Sequence, residues 1–299
     1  MPDPSGESNH APFEVDELEE GEFGQDELEE DPFEDGDEFE EDEFEDEDEE
    51  SEEQSIEFEY SATITPGEAA MAELLERGNI EILGLMPWSS NGTYLVQVTR
   101  GEDYAPAIYK PERGERPLWD FPGALWKREV ATYELSRSLG FGSVPTTVAR
   151  VSAPMGRGSL QAFVPALFSE HYFTLRDRSE LAEQLKTLCA LDLIANSADR
   201  KGGHCLIDEH NQIWAIDNGL SFHEEAKLRT VIWDFAGEPL PNRSAEAMQH
   251  LLETGLGAEL VELLTPAEQQ ATLRRTQQVL AEGHFPFDRT GRSYPWPLV

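Results

Sequence analysis

The chain has 299 residues and a formal net charge of −40, with 62 Asp and Glu against 22 Lys and Arg. Half of the acidic residues, 31, lie within residues 1–60, where there is no Lys or Arg. This charge disfavours binding to nucleic acids and to anionic membrane surfaces, because both repel a strongly acidic protein. We therefore expect no nucleic-acid partner and no stable membrane insertion.

Residues 1–57 form an acidic segment that is interrupted by single aromatic residues such as Phe13, Phe23 and Phe33. Such a composition buries too little apolar surface to offset chain entropy and charge repulsion. We predict a disordered acidic N-terminal tail over residues 1–57. It acts either as a solubility tail, or as a segment that recruits a protein partner or competes with substrate for a basic groove.

The remaining residues suffice for one bilobed domain with its own core. No run reaches the roughly 18 apolar residues of a membrane span, and the N-terminus lacks the order of a signal peptide. Cys189 and Cys205 lie in apolar runs, so we expect buried free thiols and a cytoplasmic protein. A zinc site from Cys205, His204 and His210 is an alternative that lacks the usual ligand spacing.

The first elements of the domain are a predicted helix and three strands, over residues 66–77, 79–86, 94–99 and 105–109. Ser90, Asn91 and Gly92 lie in the turn between the first two strands, where backbone N–H groups would face phosphates. Lys110 ends the third strand. An ordinary hairpin and a surface lysine are the plainer interpretations of these two features.

A helix predicted over residues 125–139 carries an acid on its apolar face. Leu125, Glu129 and Tyr133 are four residues apart, so they share one side of the helix. A buried carboxylate needs a partner, because an unpaired charge is costly to bury. We expect Lys110 to be that partner, unless Glu129 lies at the edge of the face and reaches water.

Two further strands, over residues 146–151 and 160–164, precede a crossover at Pro165 and a long apolar helix that ends near Ala195. A hairpin over residues 205–207 and 212–216 follows. Helices are predicted over residues 244–255, 258–263 and 266–283, with Thr265 and Glu268 capping the last one.

Two carboxylates follow these regular elements. Asp199 comes after the apolar helix, with His204 five residues later, and Asp217 comes directly after the hairpin. Phosphoryl transfer from a magnesium nucleotide uses such a pair, since one carboxylate faces the acceptor hydroxyl and the other holds the metal. Taken singly, each of these residues also has a plain interpretation as a turn or helix-cap residue.

The sequence around both carboxylates resembles that of the phosphatidylinositol kinases, most clearly the type II phosphatidylinositol 4-kinases. The matching segments are Ser-Ala-Asp-Arg-Lys-Gly-Gly-His at 197–204 and Ala-Ile-Asp-Asn-Gly-Leu-Ser-Phe at 215–222. The chain is more similar still to a family of small actinobacterial phosphatidylinositol 3- and 4-kinase-like proteins. The resemblance covers most of residues 80–235. It implies an α+β, two-lobed protein-kinase-like or phosphatidylinositol-kinase-like fold, with an N-lobe over 58–165 and a C-lobe over 166–299.

The resemblance also implies roles for individual residues. Asp199 would orient or deprotonate the acceptor, with Asn196 beside it as a second catalytic residue, and Asp217 would bind magnesium. Lys110 would contact the phosphates and pair with Glu129. The nucleotide would further meet the turn of Ser90, Asn91 and Gly92, and the backbone of Gln161, Ala162, Phe163 and Val164 would meet the adenine edge.

His204 stands where phosphatidylinositol kinases have a metal-binding Asn. Neutral imidazole is a poor ligand for Mg²⁺, which prefers oxygen. Asn218 or Asn196 would then supply the missing oxygen, or Mn²⁺ would replace Mg²⁺.

The expected function is transfer of the γ-phosphoryl group of ATP to a hydroxyl acceptor that is a small molecule, a lipid headgroup or a protein. The alternatives are a nucleotide-binding pseudokinase that serves as a regulatory module, and a kinase-fold nucleotidyl transferase.

Overall fold

The computed structural model describes residues 61–64, 69–86, 91–289 and 291–299 of the chain. The predicted acidic tail over residues 1–57 and Ser90 of the predicted phosphate-binding turn lie outside the described residues. The chain divides into two units, Met1–Ile56 and Glu57–Val299, and all described residues belong to the second unit.

An antiparallel sheet and two helices form the N-terminal lobe. In chain order its elements are α1 (Ala69–Arg77), β1 (Asn79–Leu85), β2 (Tyr94–Arg100), β3 (Asp103–Pro111), α2 (Leu125–Ser138), β4 (Thr147–Arg150) and β5 (Gly158–Ala162). The strand order in the sheet is β1-β2-β3-β5-β4. Helix α1 packs on the sheet through Met71, Leu74 and Leu75, which are all buried. These three apolar residues recur at helical spacing, which explains why this short segment forms a helix against the sheet.

Strand β3 positions the lysine of the site. Ala105, Ala107 and Tyr109 are buried in the core between the sheet and α1. Because side chains alternate along a strand, Lys110 points to the opposite face of the sheet. Lys110 pairs in register with Ser159 of β5, and the neighbouring Gly158 is required because a Cβ there would overlap the carbonyl oxygen of Lys110.

The C-terminal lobe is mainly helical. Its elements are α3 (Tyr172–Leu175), α4 (Ala182–Ala195), the hairpin of β6 (Cys205–Ile207) and β7 (Ile213–Ala215), α5 (Asn242–Thr254), α6 (Ala258–Leu263) and α7 (Pro266–Glu282). Helix α4 is the centre of the core of this lobe, with Leu185, Leu188 and Ile194 each 0% exposed. Cys189 and Cys205 are buried free thiols, as predicted.

Helix α2 joins the two lobes. Ala131 and Leu135, on its second half, belong to the same apolar core as α4. The N-terminal half of α2 carries Glu129, which is 3% exposed. The predicted two-lobed α+β architecture is confirmed by this arrangement. Among the described residues, no helix combines the length and apolarity that crossing a bilayer requires.

Candidate active site

Lys110 lies between two carboxylates that come from different lobes. Its Nζ atom is 2.5 Å from Oε1 of Glu129 on α2 and 2.8 Å from Oδ1 of Asp217, which follows β7. The ion pair expected between Lys110 and Glu129 is therefore present, and Asp217 extends it across the cleft. The side chains of Lys110 and Glu129 are 21% and 4% exposed, so solvent screens this pair weakly.

Mutual attraction keeps Lys110 and Asp217 charged. The charge of Lys110 holds the pKa of the Asp217 carboxyl well below its usual range, against the opposing effect of desolvation. Burial alone would lower the pKa of Lys110, but the charges of Asp217 and Glu129 outweigh burial and raise it above its usual value. At neutral pH the site therefore holds an ammonium group between two carboxylates.

The second oxygen of Glu129 fixes the loop that carries Asp217. Its Oε2 atom accepts a hydrogen bond from the backbone N–H of Asn218, at 3.0 Å. Gly219 comes next, and a Cβ there would lie 3.3 Å from Oε1 of Glu129 and 3.6 Å from Cβ of Leu125. Glycine at this position therefore lets α2 approach the loop closely. Asp217 itself adopts a left-handed backbone conformation with φ of 56°, which turns the chain after β7.

Asp199 lies in the same cleft, on the loop that follows α4. Desolvation raises the pKa of its carboxyl, with the nearby charge of Lys201 acting in the opposite direction. The Nζ atom of Lys201 is 3.4 Å from Oδ2 of Asp199. Sequence reasoning assigned no role to Lys201, although its position two residues after Asp199 places it on the same loop.

His204 links the two carboxylate loops. Its Nδ1 atom lies 2.9 Å from the carbonyl oxygen of Asp199, and its Nε2 atom lies 3.4 Å from Oδ2 of Asp217. Burial lowers the pKa of His204 to about 4, so the imidazole is neutral at pH 7. Nδ1 also lies 3.4 Å from the backbone nitrogen of Lys201. With the ring proton on Nε2, His204 donates to Asp217 and Nδ1 accepts from the Lys201 N–H; with the proton on Nδ1, it donates to the Asp199 carbonyl oxygen and the Nε2 lone pair faces Asp217.

Asn218 was expected to bind metal, and the structure gives its side chain another role. Its Oδ1 atom accepts a hydrogen bond from Nη2 of Arg200 at 2.6 Å, and its amide nitrogen donates to the carbonyl oxygen of Ala215. The residue is 1% exposed. Arg200 also pairs with the buried Asp192 at 3.0 Å. Asn218 therefore anchors its loop to α4 and does not turn its amide oxygen towards the cleft.

The same correction applies to Asn196, which was expected to act in catalysis. It ends α4 in a left-handed conformation and is 2% exposed. Its amide nitrogen donates to the carbonyl oxygens of His223 and Glu225, and its Oδ1 accepts from the backbone N–H of Lys227. Both amide atoms are thus used to hold the 223–227 segment, because this turn leaves those backbone groups without helix or strand partners.

Two adjoining cavities lie between the lobes. The first measures about 440 Å³, and its lining includes Lys110, Glu129, Asp199, His204 and Asp217. Lys201, Asn91 and Gly92 also line it. The second measures about 240 Å³ and is bounded by the four residues expected to meet adenine, Gln161, Ala162, Phe163 and Val164. Lys110, His204 and Asp217 line both cavities, so a ligand that fills both would pass these residues.

The second cavity is apolar on several sides, with Met86, Ile108 and Leu206 in its wall. The amide of Gln161 donates to Oγ1 of Thr147 within the sheet, and the backbone N–H groups of Ala162 and Phe163 donate to the carbonyl oxygens of Thr146 and Pro106. A flat heterocycle suits a slot of this kind, because the apolar walls bury its faces.

The turn between β1 and β2 is held by the segment after β3. The backbone N–H of Gly92 donates to the carbonyl oxygen of Gly114 at 2.9 Å, and that of Arg116 donates to Oδ1 of Asn91 at 2.9 Å. The two glycines touch, since a Cβ on Gly114 would lie 3.0 Å from Cα of Gly92. Gly114 and Arg116 were missed by sequence reasoning, because nothing in the sequence indicates this contact.

The donor groups suit a divalent cation that is also held by phosphates. No group of three or more His, Cys, Asp or Glu side chains within the described part of the chain is arranged as a metal site. Mg²⁺ does not need such a cage, because it is commonly held by one or two carboxylates together with substrate phosphates and water. The Asp217 carboxylate is 52% exposed in the cleft and can take this role, with the Nε2 atom of His204 at 3.4 Å beside it.

No protein-family model matches the chain. Two solved structures are similar to it at low sequence identity. The structure of hydra Fam20 with sugar has a TM-score of 0.45 at 14% identity, over 73% of this chain and 91% of that chain. The Helicobacter pylori proinflammatory kinase CtkA has a TM-score of 0.38 at 10% identity, over 70% of this chain and 94% of that chain.

One relative has a sequence identity to this chain well above that of either solved structure. Protein Rv2133c of Mycobacterium tuberculosis is 35% identical over 262 residues, which cover 75% of this chain and 94% of the relative. The chain therefore belongs to the same family as protein Rv2133c.

Proposed function

We propose that this chain is an ATP-dependent phosphotransferase of the phosphatidylinositol-kinase-like class, which transfers the γ-phosphoryl group to a hydroxyl acceptor. The observation that carries the proposal is the placement of Lys110 between Glu129 and Asp217, with Asp199 in the same cavity. An ammonium near the phosphates and two carboxylates in separate roles, here Asp217 and Asp199, suit phosphoryl transfer, because its transition state is stabilised by positioning and charge.

Each cavity binds a different part of the nucleotide. The apolar slot beside Phe163 and Val164 takes the base, and the larger polar cavity takes the phosphates. Lys110 contacts the phosphates while Glu129 holds its ammonium in place. The turn of Asn91 and Gly92 covers the phosphates from the sheet side, supported by its contact with Gly114.

Asp217 and His204 would hold the divalent ion that accompanies the nucleotide. When bound, such an ion neutralises part of the phosphate charge. The neutral state of His204 suits this role, since a protonated imidazole cannot act as a ligand.

Asp199 accepts the proton of the acceptor. In the transfer step, the hydroxyl oxygen forms a bond to the γ-phosphorus, the bond from that phosphorus to the β–γ bridging oxygen breaks, and ADP leaves. The hydroxyl proton passes to the Asp199 carboxylate. The raised pKa of Asp199 favours this, because burial makes the carboxylate a stronger base.

One observation favours a second function, that of a nucleotide-binding pseudokinase. An imidazole stands in the position of an expected oxygen ligand, and both nearby amides, Asn196 and Asn218, are occupied in structural hydrogen bonds. A site with fewer hard ligands would bind Mg²⁺-nucleotide more weakly and turn it over slowly or not at all.

The deciding experiment measures nucleotide binding and ATP consumption by the full chain in Mg²⁺ and in Mn²⁺. Calorimetry with a non-hydrolysable ATP analogue gives the affinity, and mass spectrometry identifies any group that is transferred. A transferred phosphoryl group supports the kinase, and a nucleotidyl group would replace it with a nucleotidyl transferase. Binding without consumption supports the pseudokinase. Absence of binding with either metal would reject all three.

A further inference from the structure

One face of helix α7 reaches the segments that carry the candidate active site. Glu268, Thr272 and Arg275 are spaced by four and three residues, so they share one side of the helix. Glu268 contacts α2, and Arg275 contacts the end of α4 and the segment after Asp217. Neither residue was given a role by sequence reasoning beyond the helix cap of Glu268.

The first contact is a buried ion pair between Glu268 and Arg128. Nη2 of Arg128 donates to Oε1 of Glu268, and the two residues are 5% and 6% exposed. The other carboxylate oxygen, Oε2, accepts from the backbone N–H of Thr265 at 2.8 Å. Glu268 is therefore held through both oxygens. Removing one member of such a pair leaves an uncompensated charge in the interior, which strongly disfavours the remaining arrangement.

This ion pair bears on the candidate active site because of the position of Arg128 in α2. Arg128 directly precedes Glu129, which binds Lys110 and the backbone of Asn218. Helix α2 begins after Ala124, and in its first turn the backbone N–H of Trp126 donates to Oε1 of Glu115 at 2.9 Å. That contact holds the start of the helix, and the buried ion pair with α7 holds the turn that carries Glu129.

The second contact involves Arg275. Its Nε atom donates to the carbonyl oxygen of Ile194 at 2.9 Å, and its Nη1 atom donates to the carbonyl oxygen of His223 at 3.2 Å. Carbonyl groups in the last turn of a helix lack partners within that helix, so Arg275 supplies one for α4. The same His223 oxygen accepts from Asn196. Arg275 thus joins the segment that leads into Asp199 to the segment that follows Asp217.

We propose that α7 fixes the positions of the nucleotide site and of the catalytic loop relative to each other, with Glu268 and Arg275 as its positioning residues. Glu268, through Arg128, fixes α2 so that Glu129 meets Lys110. Arg275 fixes the end of α4, from which the Asp199 loop departs. The functional part of this proposal rests on the proposed phosphotransferase, whereas the structural part stands without it.

Three variants test the proposal in the full chain. Glu268→Gln removes the charge but keeps an oxygen able to cap the helix, since Gln also serves in a capping box. Arg275→Gln removes the contacts to Ile194 and His223. Arg274→Gln is the matched control, because Arg274 is the neighbouring arginine of α7 and is exposed.

Two readouts need no nucleotide. Hydrogen exchange is followed in peptides covering residues 125–135 and 196–204, and the labelling rate of the Lys110 amine is measured by mass spectrometry. We expect Glu268→Gln to increase exchange in 125–135 and labelling of Lys110. Arg275→Gln should increase exchange in 196–204, and Arg274→Gln should change neither.

Two further readouts separate binding from turnover. Glu268→Gln should weaken the affinity for a non-hydrolysable ATP analogue by about tenfold, because misplacing a binding group by an ångström has effects of this order or greater. Arg275→Gln should lower kcat by a similar factor of about ten while the KM for ATP changes little, because it acts on the catalytic loop.

The outcomes are distinguishable. If both variants unfold cooperatively like the wild type and match Arg274→Gln in exchange, labelling, affinity and turnover, α7 has no positioning role. If the wild type binds no nucleotide, the proposed function fails, and the exchange and labelling results still decide the role of α7. Should Glu268→Gln lose its cooperative transition, Arg128→Lys retains one charge and is expected to shift the same readouts in the same direction.

Discussion

The Nε2 atom of His204 lies 3.4 Å from Oδ2 of Asp217, and burial keeps the imidazole neutral at pH 7. On the other side of the ring, Nδ1 lies 2.9 Å from the carbonyl oxygen of Asp199 and 3.4 Å from the backbone nitrogen of Lys201. A proton on Nε2 would bond the Asp217 carboxylate, whereas an ion held by both side chains needs that nitrogen unprotonated. The identity of residue 204 should therefore affect which ion is preferred at Asp217.

Replacing His204 by Asn should shift the metal preference towards Mg²⁺. An amide oxygen is a harder ligand than an imidazole nitrogen, and Mg²⁺ prefers oxygen more strongly than Mn²⁺ does. We expect the ratio of nucleotide affinities in Mg²⁺ and Mn²⁺ to change by about tenfold, as ligand-shell changes commonly do. Calorimetric titration of a non-hydrolysable ATP analogue with each metal measures it. His210→Asn, at an exposed site, is the control, and an unchanged ratio in His204→Asn would contradict the assignment.

The same histidine should make the fold sensitive to acid. Burial lowers its pKa to about 4 from an ordinary value of 6.5, so the unfolded chain binds the proton more readily. Stability should therefore fall as pH decreases from 6.5 to 4, by roughly 3 kcal/mol at most for this group. His204→Asn should flatten this part of the curve of unfolding free energy against pH. Equal slopes for the two proteins in denaturant titrations between pH 7 and 4 would show that His204 titrates normally.

Local patterns predicted the lysine and the acid of the site. Lys110 lies near the end of a strand whose last residues alternate in burial, and Glu129 lies on an apolar helix face, so each environment could be inferred from nearby residues. For Asn196 and Asn218 the structure shows loop-holding contacts in place of the expected roles, for the opposite reason. Their partners, the 223–227 segment and Arg200, are brought to them by tertiary structure. In the sequence, a polar residue beside a candidate catalytic carboxylate has the same pattern whether it binds an ion or anchors a loop.

The contacts of α7 were missed for a related reason. Glu268 satisfies a local capping pattern with Thr265, which accounts for its identity without any distant partner. Its bond to Arg128 spans 140 positions of the sequence. Likewise, Arg200 reads as a surface residue of a polar loop, yet it is 1% exposed.

The buried pair of Asp192 and Arg200 should be essential for stability. Both residues are 1% exposed and 3.0 Å apart, and Arg200 also donates to the carbonyl oxygen of Ile216. Asp192→Asn should lower the free energy of unfolding by about 3–5 kcal/mol, because it leaves the Arg200 charge without a counterion. Chemical denaturation measures this. Glu180→Gln, which removes an exposed pair with Arg178, should cost less than about 1 kcal/mol, and similar losses for both variants would refute the distinction.

The contact between Gly92 and Gly114 should control phosphate binding. A Cβ on Gly114 would lie 3.0 Å from both Cα and the carbonyl oxygen of Gly92, so Gly114→Ala must displace the turn. We expect the affinity for a non-hydrolysable ATP analogue to fall by about tenfold, because the turn would no longer face the phosphates correctly. Gly123→Ala is the control, since its Cβ would meet nothing within 4 Å. Unchanged affinity in Gly114→Ala would show that the turn makes no contact with the nucleotide.

Asp217→Asn should weaken nucleotide binding, whereas Asp199→Asn should lower turnover. Asp217 is bound to Lys110 and is the carboxylate proposed to hold the ion, so removing its charge should weaken the bound state itself. Metal-dependent affinity for an ATP analogue should fall by at least about tenfold. Asp199 is proposed to act on the acceptor, so its loss should leave that affinity nearly unchanged while kcat falls by roughly a hundredfold or more.

Calorimetric titration with and without metal, together with ATP consumption, separates these two effects. A pseudokinase gives a different pattern, in which Asp217→Asn weakens binding and Asp199→Asn changes nothing because there is no turnover to lose. If Asp199→Asn weakens nucleotide binding as much as Asp217→Asn does, the separate roles are wrong. Both carboxylates would then act on the bound nucleotide, and the base for the acceptor hydroxyl would have to be another group in the cavity.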